Sequence, residues 1–193
     1  MKEAILRKAR ESAEVKEQFF RAEADRIGAM VQVMAKRFAR GGRLYCMGNG
    51  GSATDAQHVA VEFFHPILEK RRALPALALA TDPALVTAIS NDRDFATIFS
   101  DQLRVLAAPA DMALVISTSG HSPNLVRAVE TARELGLLTI AFAGKDGGRL
   151  AELAEYCFIV PSFSIHRIQE THVALYHIMW DLVHVALGAD DVI

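Results

Sequence analysis

Five short apolar segments alternate with segments of helical pattern, and this alternation constrains the fold of the 193-residue chain more than any other feature. Each segment is apolar almost throughout, which is typical of strands in a parallel sheet that helices cover on both faces. We predict strands at residues 43–48, 74–80, 112–118, 137–144 and 156–160. The chain is therefore expected to form a three-layer, doubly wound α/β fold around a five-stranded parallel sheet.

Helical segments precede, separate and follow these strands. They are predicted at residues 2–40, 53–68, after Pro83, 94–107, 123–135, 150–154 and 165–187. We treat residues 1–193 as one domain, with a helical arm at 1–40 and the sheet core and last helix at 41–193. One face of the arm carries apolar residues at helical spacing, namely Ile27, Met30, Val31, Met34 and Phe38. This face is expected to pack either on another subunit or on its own sheet.

Composition narrows the classes of partner. A net charge of -2 gives no general positive field for a nucleic-acid backbone, so nucleic acid is not an expected partner. No apolar stretch approaches the roughly 20 residues of a membrane-spanning helix, and the charged N-terminal segment lacks the apolar part of a signal peptide. Cys46 and Cys157 lie in apolar runs, which predicts reduced core cysteines. We expect a cytoplasmic protein.

Ligands of such sheets bind at the loops that follow the carboxyl ends of the strands. In the first of these loops, Gly48–Ser52, glycines allow close approach of the backbone and a helix start favours anions, although a simple tight turn is the alternative. The third loop, residues 117–124, contains four hydroxyl side chains just before Pro123. Four hydroxyls around a glycine favour phosphate binding over ordinary helix capping.

Two helices carry further candidate residues. His58 and Glu62 are four residues apart and share one helix face, where they can bind a divalent metal, act as acid and base, or form a surface pair. The last helix carries three histidines after its first turn, His172, His177 and His184. We expect His172 and His184 to be solvated or satisfied at an edge, whereas His177 is a candidate for function.

Five segments in register carry a family resemblance across nearly the whole chain. The sequences GNGGSATDAQHVAVE, AISNDRDF, ISTSGHSPN, GKDGGRLAELA and RIQETHVALYHI resemble the phosphoheptose isomerases, which are sugar-isomerase (SIS) domain proteins. The resemblance implies a flavodoxin-like SIS domain and a cytoplasmic homotetramer with active sites at subunit interfaces. It also implies the conversion of D-sedoheptulose 7-phosphate, a phosphorylated sugar, into D-glycero-D-manno-heptose 7-phosphate.

The resemblance also implies the residues of the site. The metal ligands of the family fall on His58, Glu62, Gln169 and His177, with one zinc ion per active site. The substrate-binding residues fall on Asn49, Gly50, Gly51, Ser52, Glu62, Asn91, Asp92, Ser117, Thr118, Ser119, Ser122 and Gln169. Isomerisation of a ketose moves a proton between C1 and C2 through an enediol, which requires a base and an acid. Glu62 is the candidate base and His177 the candidate acid.

Two geometric points qualify this site. Gln169 and His177 are eight residues apart, which is about 12 Å along one helix. One metal ion contacts both only if their side chains reach inward, the helix bends, or a second subunit supplies one of them. A metal-bound Glu62 is a weaker base, so its metal and base roles are expected in different states of the site.

The chain also departs from the family pattern. Phe63-Phe64-His65-Pro66 follows Glu62, where the family pattern is close to LTGR, and His166 replaces an aspartate that often precedes RIQE. His65, Arg71 or Arg72 can supply a missing positive charge, or can lie in a solvated loop. Two alternatives therefore stay open, a non-catalytic scaffold resembling the DnaA initiator-associating proteins and an isomerase of another phosphoketose. The joint presence of His58, Glu62, Gln169 and His177 favours the enzyme.

Overall fold

The computed structural model describes residues 1–67 and 71–191 and contains one five-stranded parallel sheet. Its strands are β1 Leu44–Gly48, β2 Ala76–Ala78, β3 Met112–Ser117, β4 Leu138–Gly144 and β5 Tyr156–Val160. All pairs are parallel in the order β2-β1-β3-β4-β5. The predicted α/β class and the five parallel strands are confirmed.

Helices and one short 3₁₀ turn, Phe95–Thr97, connect the strands. The α-helices are α1 Lys2–Ala39, α2 Gly51–Phe64, α3 Pro83–Asp92, α4 Ser100–Leu106, α5 Pro123–Glu134, α6 Gly148–Leu153 and α7 Ile165–Ala186. None of these helices is both long enough and apolar enough to cross a membrane.

The predicted boundaries differ from the structure by more than one residue at four elements. α6 begins at Gly148 instead of residue 150. β2 has three residues instead of the predicted seven, because only Ala76–Ala78 pair with β1. The predicted helix at 94–107 is divided, because the Asp94 side chain accepts a hydrogen bond from Ala96 N and starts the 3₁₀ turn. α2 begins at Gly51 instead of residue 53, and its predicted end at Leu68 lies outside the described residues.

Side chains alternate between two cores on opposite faces of the sheet, as the pleat of a strand requires. Leu44 and Cys46 of β1 face a core formed with α1, α2 and α7. Tyr45 and Met47 face a second core, to which α4 and α5 contribute most. Cys46 and Cys157 are both buried and free, as predicted.

The apolar face of α1 packs within its own chain. Its five predicted apolar residues, Ile27, Met30, Val31, Met34 and Phe38, are all buried in the first core. α1 lies along α7, and Ser12 Oγ donates a hydrogen bond of 2.6 Å to Glu170 of that helix. Of the two alternatives for this face, the structure therefore selects packing on the chain's own sheet.

The prediction that His172 and His184 are solvated or satisfied at an edge is wrong about the edge, although both ring nitrogens of His184 have partners. Both residues are almost fully buried, His172 against β4 and His184 against α2 and the loop that follows it. His172 Nε2 lies 3.0 Å from the Ala143 carbonyl oxygen, and burial lowers the pKa of His172 to about 4. The ring nitrogens of His184 lie 2.9 Å and 3.2 Å from the carbonyl oxygens of Trp180 and Arg72.

Candidate active site

The loop between β1 and α2 is a tight turn that only glycines permit. A Cβ on Gly48 would lie 2.2 Å from the Ser52 carbonyl oxygen, and Gly50, the residue before α2, has a φ of +54°. No side chain caps the start of α2. Ser52 N and Ala53 N donate hydrogen bonds of 3.0 Å to the carbonyl oxygens of Asn49 and Gly50, so this helix start attracts an anion chiefly through the positive end of the helix dipole. Gly51 and Ser52 form the first residues of this helix.

The loop between β3 and α5 presents the four predicted hydroxyl side chains. Ser117 Oγ accepts a hydrogen bond of 3.1 Å from Gly120 N, and Ser119 Oγ accepts one of 3.3 Å from His121 N. Ser122 occupies the N-cap position of α5 without making a side-chain capping bond. None of these hydroxyls therefore caps α5, which was the alternative explanation for them. We call residues 117–122 the hydroxyl loop.

A reciprocal pair of amide hydrogen bonds joins the two loops. Asn49 Nδ2 donates to Asn124 Oδ1 at 3.0 Å, and Asn124 Nδ2 donates to Asn49 Oδ1 at 2.8 Å. Asn124 is buried and Asn49 is half-buried, so this pair is partly shielded from water. β1 and β3 are neighbours at the point where the strand order reverses, which is where doubly wound sheets bind ligands.

Three candidate residues converge on the outer face of α2 and α7. His58 Nε2 lies 3.1 Å from Glu62 Oε1. The rings of His58 and His177 are 5.1 Å apart between centroids. One potential ligand atom from each of His58, Glu62 and His177 lies within 4.8 Å of the others. We call these three residues the His–Glu–His cluster.

Two further side chains of α7 form hydrogen bonds with residues of this cluster. Tyr176 Oη lies 2.9 Å from His58 Nδ1, and Trp180 Nε1 donates a hydrogen bond of 2.7 Å to the Glu62 carbonyl oxygen. The two pairs have the same sequence separation, 118 residues, because α2 and α7 run side by side in the same direction.

Burial and neighbouring charges set the protonation of the cluster. Partial burial lowers the pKa of His177, His58 lowers it further, and Glu62 opposes both effects. His177 is therefore a neutral imidazole at neutral pH, with one nitrogen that donates and one that accepts. Burial and the nearby carboxylates of Asp55 and Glu62 raise the pKa of Tyr176 to about 12, so its hydroxyl stays protonated.

The other predicted site residues lie in two places. The Gln169 side chain reaches from α7 to the start of α2. Its Nε2 lies 2.9 Å from the position that a Cβ on Gly51 would occupy. The Gln169 side chain is thus next to the first loop, about two turns of α7 away from His177. Asn91 and Asp92 are exposed at the end of α3, where Asn91 Nδ2 donates to Asp92 Oδ1 at 2.8 Å.

The basic residues after α2 have different environments. Arg71 is buried, pairs with Asp181 and lies over the Trp180 ring at 4.7 Å. It is therefore neither in a solvated loop nor free to charge the pocket, and both expectations for Arg71 are wrong. Arg72 is exposed. His65 is also exposed and lines a surface pocket together with Glu62.

Sequence reasoning missed four residues of the site, namely Asp55, Asn124, Tyr176 and Trp180. Asn124 could have been found, since asparagines that follow two neighbouring strands meet at one sheet edge. Tyr176 and Trp180 are four residues apart, as are His58 and Glu62. That matched spacing becomes informative only once α2 and α7 are known to run side by side.

Comparison with known proteins gives relatives over nearly the whole chain. The SIS domain model matches residues 9–144. A phosphoheptose isomerase of Aquifex aeolicus is 45% identical over 183 residues, covering 95% of this chain and 96% of that protein. One of Thermodesulfovibrio yellowstonii is 47% identical over 179 residues, covering 92% and 89%.

Solved structures give the same result. The phosphoheptose isomerase GmhA from Neisseria gonorrhoeae superimposes with a TM-score of 0.88 at 35% identity, covering 94% of this chain and 97% of that one. A phosphoheptose isomerase from Francisella tularensis gives a TM-score of 0.90 at 33% identity, covering 95% and 97%.

Proposed function

The chain belongs to the phosphoheptose isomerases of the SIS domain family, and from this premise we infer that it converts D-sedoheptulose 7-phosphate into D-glycero-D-manno-heptose 7-phosphate. The observation that carries the proposal is the convergence of Glu62 and His177 within one cluster. A carboxylate and a neutral imidazole are the base and the proton carrier that an enediol mechanism needs.

The reaction moves hydrogen within the substrate and needs no oxidant. Glu62 removes a proton from C1, and the C–H electrons form the C1–C2 double bond while the C2 oxygen takes a proton from His177. In the second half, the O1 proton leaves to His177, a carbonyl forms at C1, and Glu62 returns its proton to C2. The neutral imidazole suits this exchange because it both donates and accepts a proton.

The phosphate end of the substrate is assigned to the two loops. Ser117, Thr118, Ser119 and Ser122 supply hydroxyl donors, and the start of α2 supplies the positive end of its dipole, with Asn49, Gly50, Gly51 and Ser52 beside it. The binding energy of the phosphate then positions C1 and C2 at the cluster. Asn91, Asp92 and Gln169 are assigned to the sugar hydroxyls.

A divalent metal ion, which we propose to be zinc, fits the His–Glu–His cluster. Two imidazoles and a carboxylate within 4.8 Å of one another form a donor set that zinc prefers. Gln169 is proposed as a fourth ligand, as in the resemblance, and is assigned to a neighbouring subunit, because within one chain it lies about two turns of α7 from His177. When bound, zinc supplies stabilisation for negative charge on a substrate oxygen. Because a cation lowers the basicity of Glu62, we assign its metal and base roles to different states of the site.

The assembly is proposed to be a cytoplasmic homotetramer with active sites at subunit interfaces. Asn91 and Asp92 are exposed at the end of α3, so a neighbouring subunit can bring them or their counterparts to the pocket. The N-terminal end of α1 exposes Ile5 and Leu6 and is proposed to take part in the contact.

The alternative functions are less well supported. A non-catalytic scaffold does not need the converging carboxylate and imidazole, and the relatives that match most of the chain bear the name of the enzyme. An isomerase of another phosphoketose differs only in the substrate. His65 lines a pocket with Glu62 where the chain departs from the family pattern, so a substrate panel should include shorter phosphoketoses.

Exchange of the C1 protons of sedoheptulose 7-phosphate with deuterated solvent, followed by NMR, tests the proposal. We expect exchange with the wild-type protein and its loss, by at least about 10³-fold, in Glu62→Gln, which keeps the shape but removes the base. Glu130→Gln on the exposed surface of α5 is the matched control and should exchange normally. Absence of exchange by the wild type with any ketose phosphate would support the scaffold alternative.

Elemental analysis tests the metal separately. Purified wild-type protein should contain zinc close to one equivalent per chain, and His58→Ala should lose most of it because one of the three nearby ligands is gone. If neither protein contains metal and a chelator leaves turnover unchanged, the zinc assignment is wrong while the isomerase assignment stands.

A further inference from the structure

Tyr176 makes a contact with the His–Glu–His cluster that the proposed chemistry does not use. Its side chain is buried, its hydroxyl lies 2.9 Å from His58 Nδ1, and its ring meets the His58 ring edge to face at 5.2 Å. We infer that Tyr176 is a positioning residue that holds the His58 imidazole through Nδ1 in both its metal-free and metal-bound forms. The metal-bound half of this inference rests on the proposed function.

The two neighbours of His58 determine which nitrogen carries the proton. A neutral imidazole has one N–H and one accepting nitrogen. His58 Nε2 lies 3.1 Å from Glu62 Oε1, and an ionised carboxylate only accepts hydrogen bonds. Nε2 must therefore donate, which leaves Nδ1 to accept the hydrogen bond of the Tyr176 hydroxyl.

This arrangement would reverse with a metal ion bound. His58 would hold the ion through the nitrogen that faces Glu62, Nε2, and would then carry its proton on Nδ1. The Tyr176 oxygen would accept a hydrogen bond from Nδ1 instead of donating one to it. A phenol hydroxyl suits both forms because it donates and accepts, whereas a carbonyl or carboxylate oxygen only accepts.

The contact matters because the other contacts of the His58 ring are with exposed or half-exposed members of the same cluster, Glu62 and His177. The His58 side chain is 44% exposed, so packing does not fix the ring orientation. Tyr176, by contrast, is only 2% exposed and belongs to the core that joins α2 to α7. A rigid residue thus orients an exposed one, which is the usual role of a hydrogen-bond partner behind a metal-binding histidine.

Removal of the hydroxyl alone separates positioning from packing. Tyr176→Phe keeps the ring and deletes the hydrogen bond. Tyr45→Phe is the matched control, since Tyr45 is equally buried and its hydroxyl donates a 2.9 Å hydrogen bond to the Leu106 carbonyl oxygen in the second core. Thermal unfolding of both variants establishes that each is folded.

Long-range ¹H–¹⁵N NMR of the histidine rings in the metal-free protein is the primary measurement. In the wild type we expect His58 as the Nε2–H tautomer, and in Tyr176→Phe a shift of the His58 nitrogen signals toward averaging of the two tautomers. Chelator competition should show zinc affinity about 10- to 100-fold lower in Tyr176→Phe and unchanged in Tyr45→Phe.

The outcomes separate this inference from the function. If Tyr176→Phe keeps both the wild-type His58 signals and the wild-type zinc affinity, Tyr176 is not a positioning residue. An equal loss in Tyr45→Phe also overturns the inference, because the effect would then be general destabilisation. If the wild type binds no zinc, the proposed metal site fails, and the metal-free His58 spectra still decide the role of Tyr176.

Discussion

Three of the four histidines of α7 lie within four turns of helix and have different environments. His177 is exposed beside His58 and Glu62, whereas His172 and His184 are buried against the sheet and the loop after α2. A buried imidazole with a lowered pKa is held neutral by the fold. Such an imidazole therefore changes how the free energy of unfolding depends on pH, even though it takes no part in the proposed chemistry.

We predict that His172 makes the protein less stable in mild acid. Its pKa is near the usual 6.5 in the unfolded chain and about 4 in the folded one, so between these values the unfolded chain binds more protons. The free energy of unfolding should fall as pH decreases from about 6.5 to about 4, and the contribution of His172 should total about 3 kcal/mol. Above pH 6.5 this residue should have no effect on the slope.

Urea unfolding of wild type and His172→Leu across this pH range is the measurement. The variant loses the Ala143 hydrogen bond, which shifts its stability by a constant amount, but its slope below pH 6.5 should be flatter than that of the wild type. Parallel curves for the two proteins would show that His172 does not titrate in this way.

Ser119→Ala should weaken substrate binding at the hydroxyl loop. Ser119 Oγ accepts only a long bond of 3.3 Å from His121 N, which leaves its own proton available for a phosphate oxygen. Loss of one hydrogen bond to a charged group corresponds to a KM increase of about 10-fold or more, with kcat much less affected. Ser100→Ala in α4 serves as the control in steady-state kinetics, and an unchanged KM for Ser119→Ala would remove that residue from the phosphate site.

Individual residues could be predicted where their chemistry is visible along one helix. His58 and Glu62 share a helix face by spacing alone, and His177 followed from the family resemblance. Tyr176 and Trp180 could not be predicted, because each contact joins residues 118 positions apart and depends on how α2 and α7 pack. Burial of His172 and His184 was missed for the same reason, since sequence spacing does not show how much of α7 the sheet covers.

Among the secondary-structure elements, the loops after β3 and β4 are packed together through glycines. A Cβ on Gly120 would lie 1.9 Å from the Gly147 carbonyl oxygen, and the φ of Gly120 is +68°. One on Gly148 would lie within 2.7 Å of the Ser119 carbonyl oxygen. The shape of the hydroxyl loop therefore depends on the absence of side chains in the neighbouring loop.

Gly120→Ala should destabilise the protein more than Gly41→Ala. Both glycines have positive φ, but a Cβ on Gly41 has nothing within 4 Å, so this control isolates the steric clash from the backbone strain. We expect Gly120→Ala to cost about 1–3 kcal/mol beyond the control, measured by urea unfolding. Equal destabilisation by the two substitutions would mean that the loops separate easily.

The sequence predicted four of the five strands to within one residue at either end, including the edge strand β5, and the exception is β2. β3 and β4 have partners on both sides, and their predicted limits differ from the structure by at most one residue at either end. β2 is an edge strand of three residues, although seven residues there have strand-like composition. Strand propensity depends on context, and the local sequence does not show how much of a segment will pair with a neighbouring strand.

At the scale of the whole molecule, one apolar surface is left uncovered beside the candidate active site. Val61 and Phe64 of α2 and Leu77 of β2 are exposed and line one groove. Val61 also shares a pocket with Glu62. An exposed apolar groove at a sheet edge, continuous with the pocket, is what an interface between subunits would cover.

We predict that Phe64→Glu lowers the mass of the assembly and the activity together. The new charge would lie in the proposed interface and oppose its formation, since a buried unpaired charge is costly. Val105→Glu, which places the same charge at an exposed apolar position on α4, is the control. Sedimentation velocity and turnover should be measured on the same samples, and a Phe64→Glu protein with wild-type mass would remove this groove from the interface.

The global fold followed from the order of apolar and helical segments, because a parallel sheet needs crossover helices and buried strands. How subunits meet does not follow from such a pattern. The apolar face of α1 illustrates the difficulty, since Ile27 and Met30 would look the same in sequence whether they contacted a partner or, as they do, the chain's own core.

The Asn49–Asn124 pair has a mechanical consequence. It ties together two loops that belong to different crossover units, so neither can swing away from the other without breaking two partly buried hydrogen bonds. The anion pocket proposed for these loops is therefore expected to be preorganised: a substrate would meet a framework already in its working geometry, and little conformational entropy would be lost on binding. The binding energy of the phosphate would then act on the reacting carbons instead of on the pocket itself.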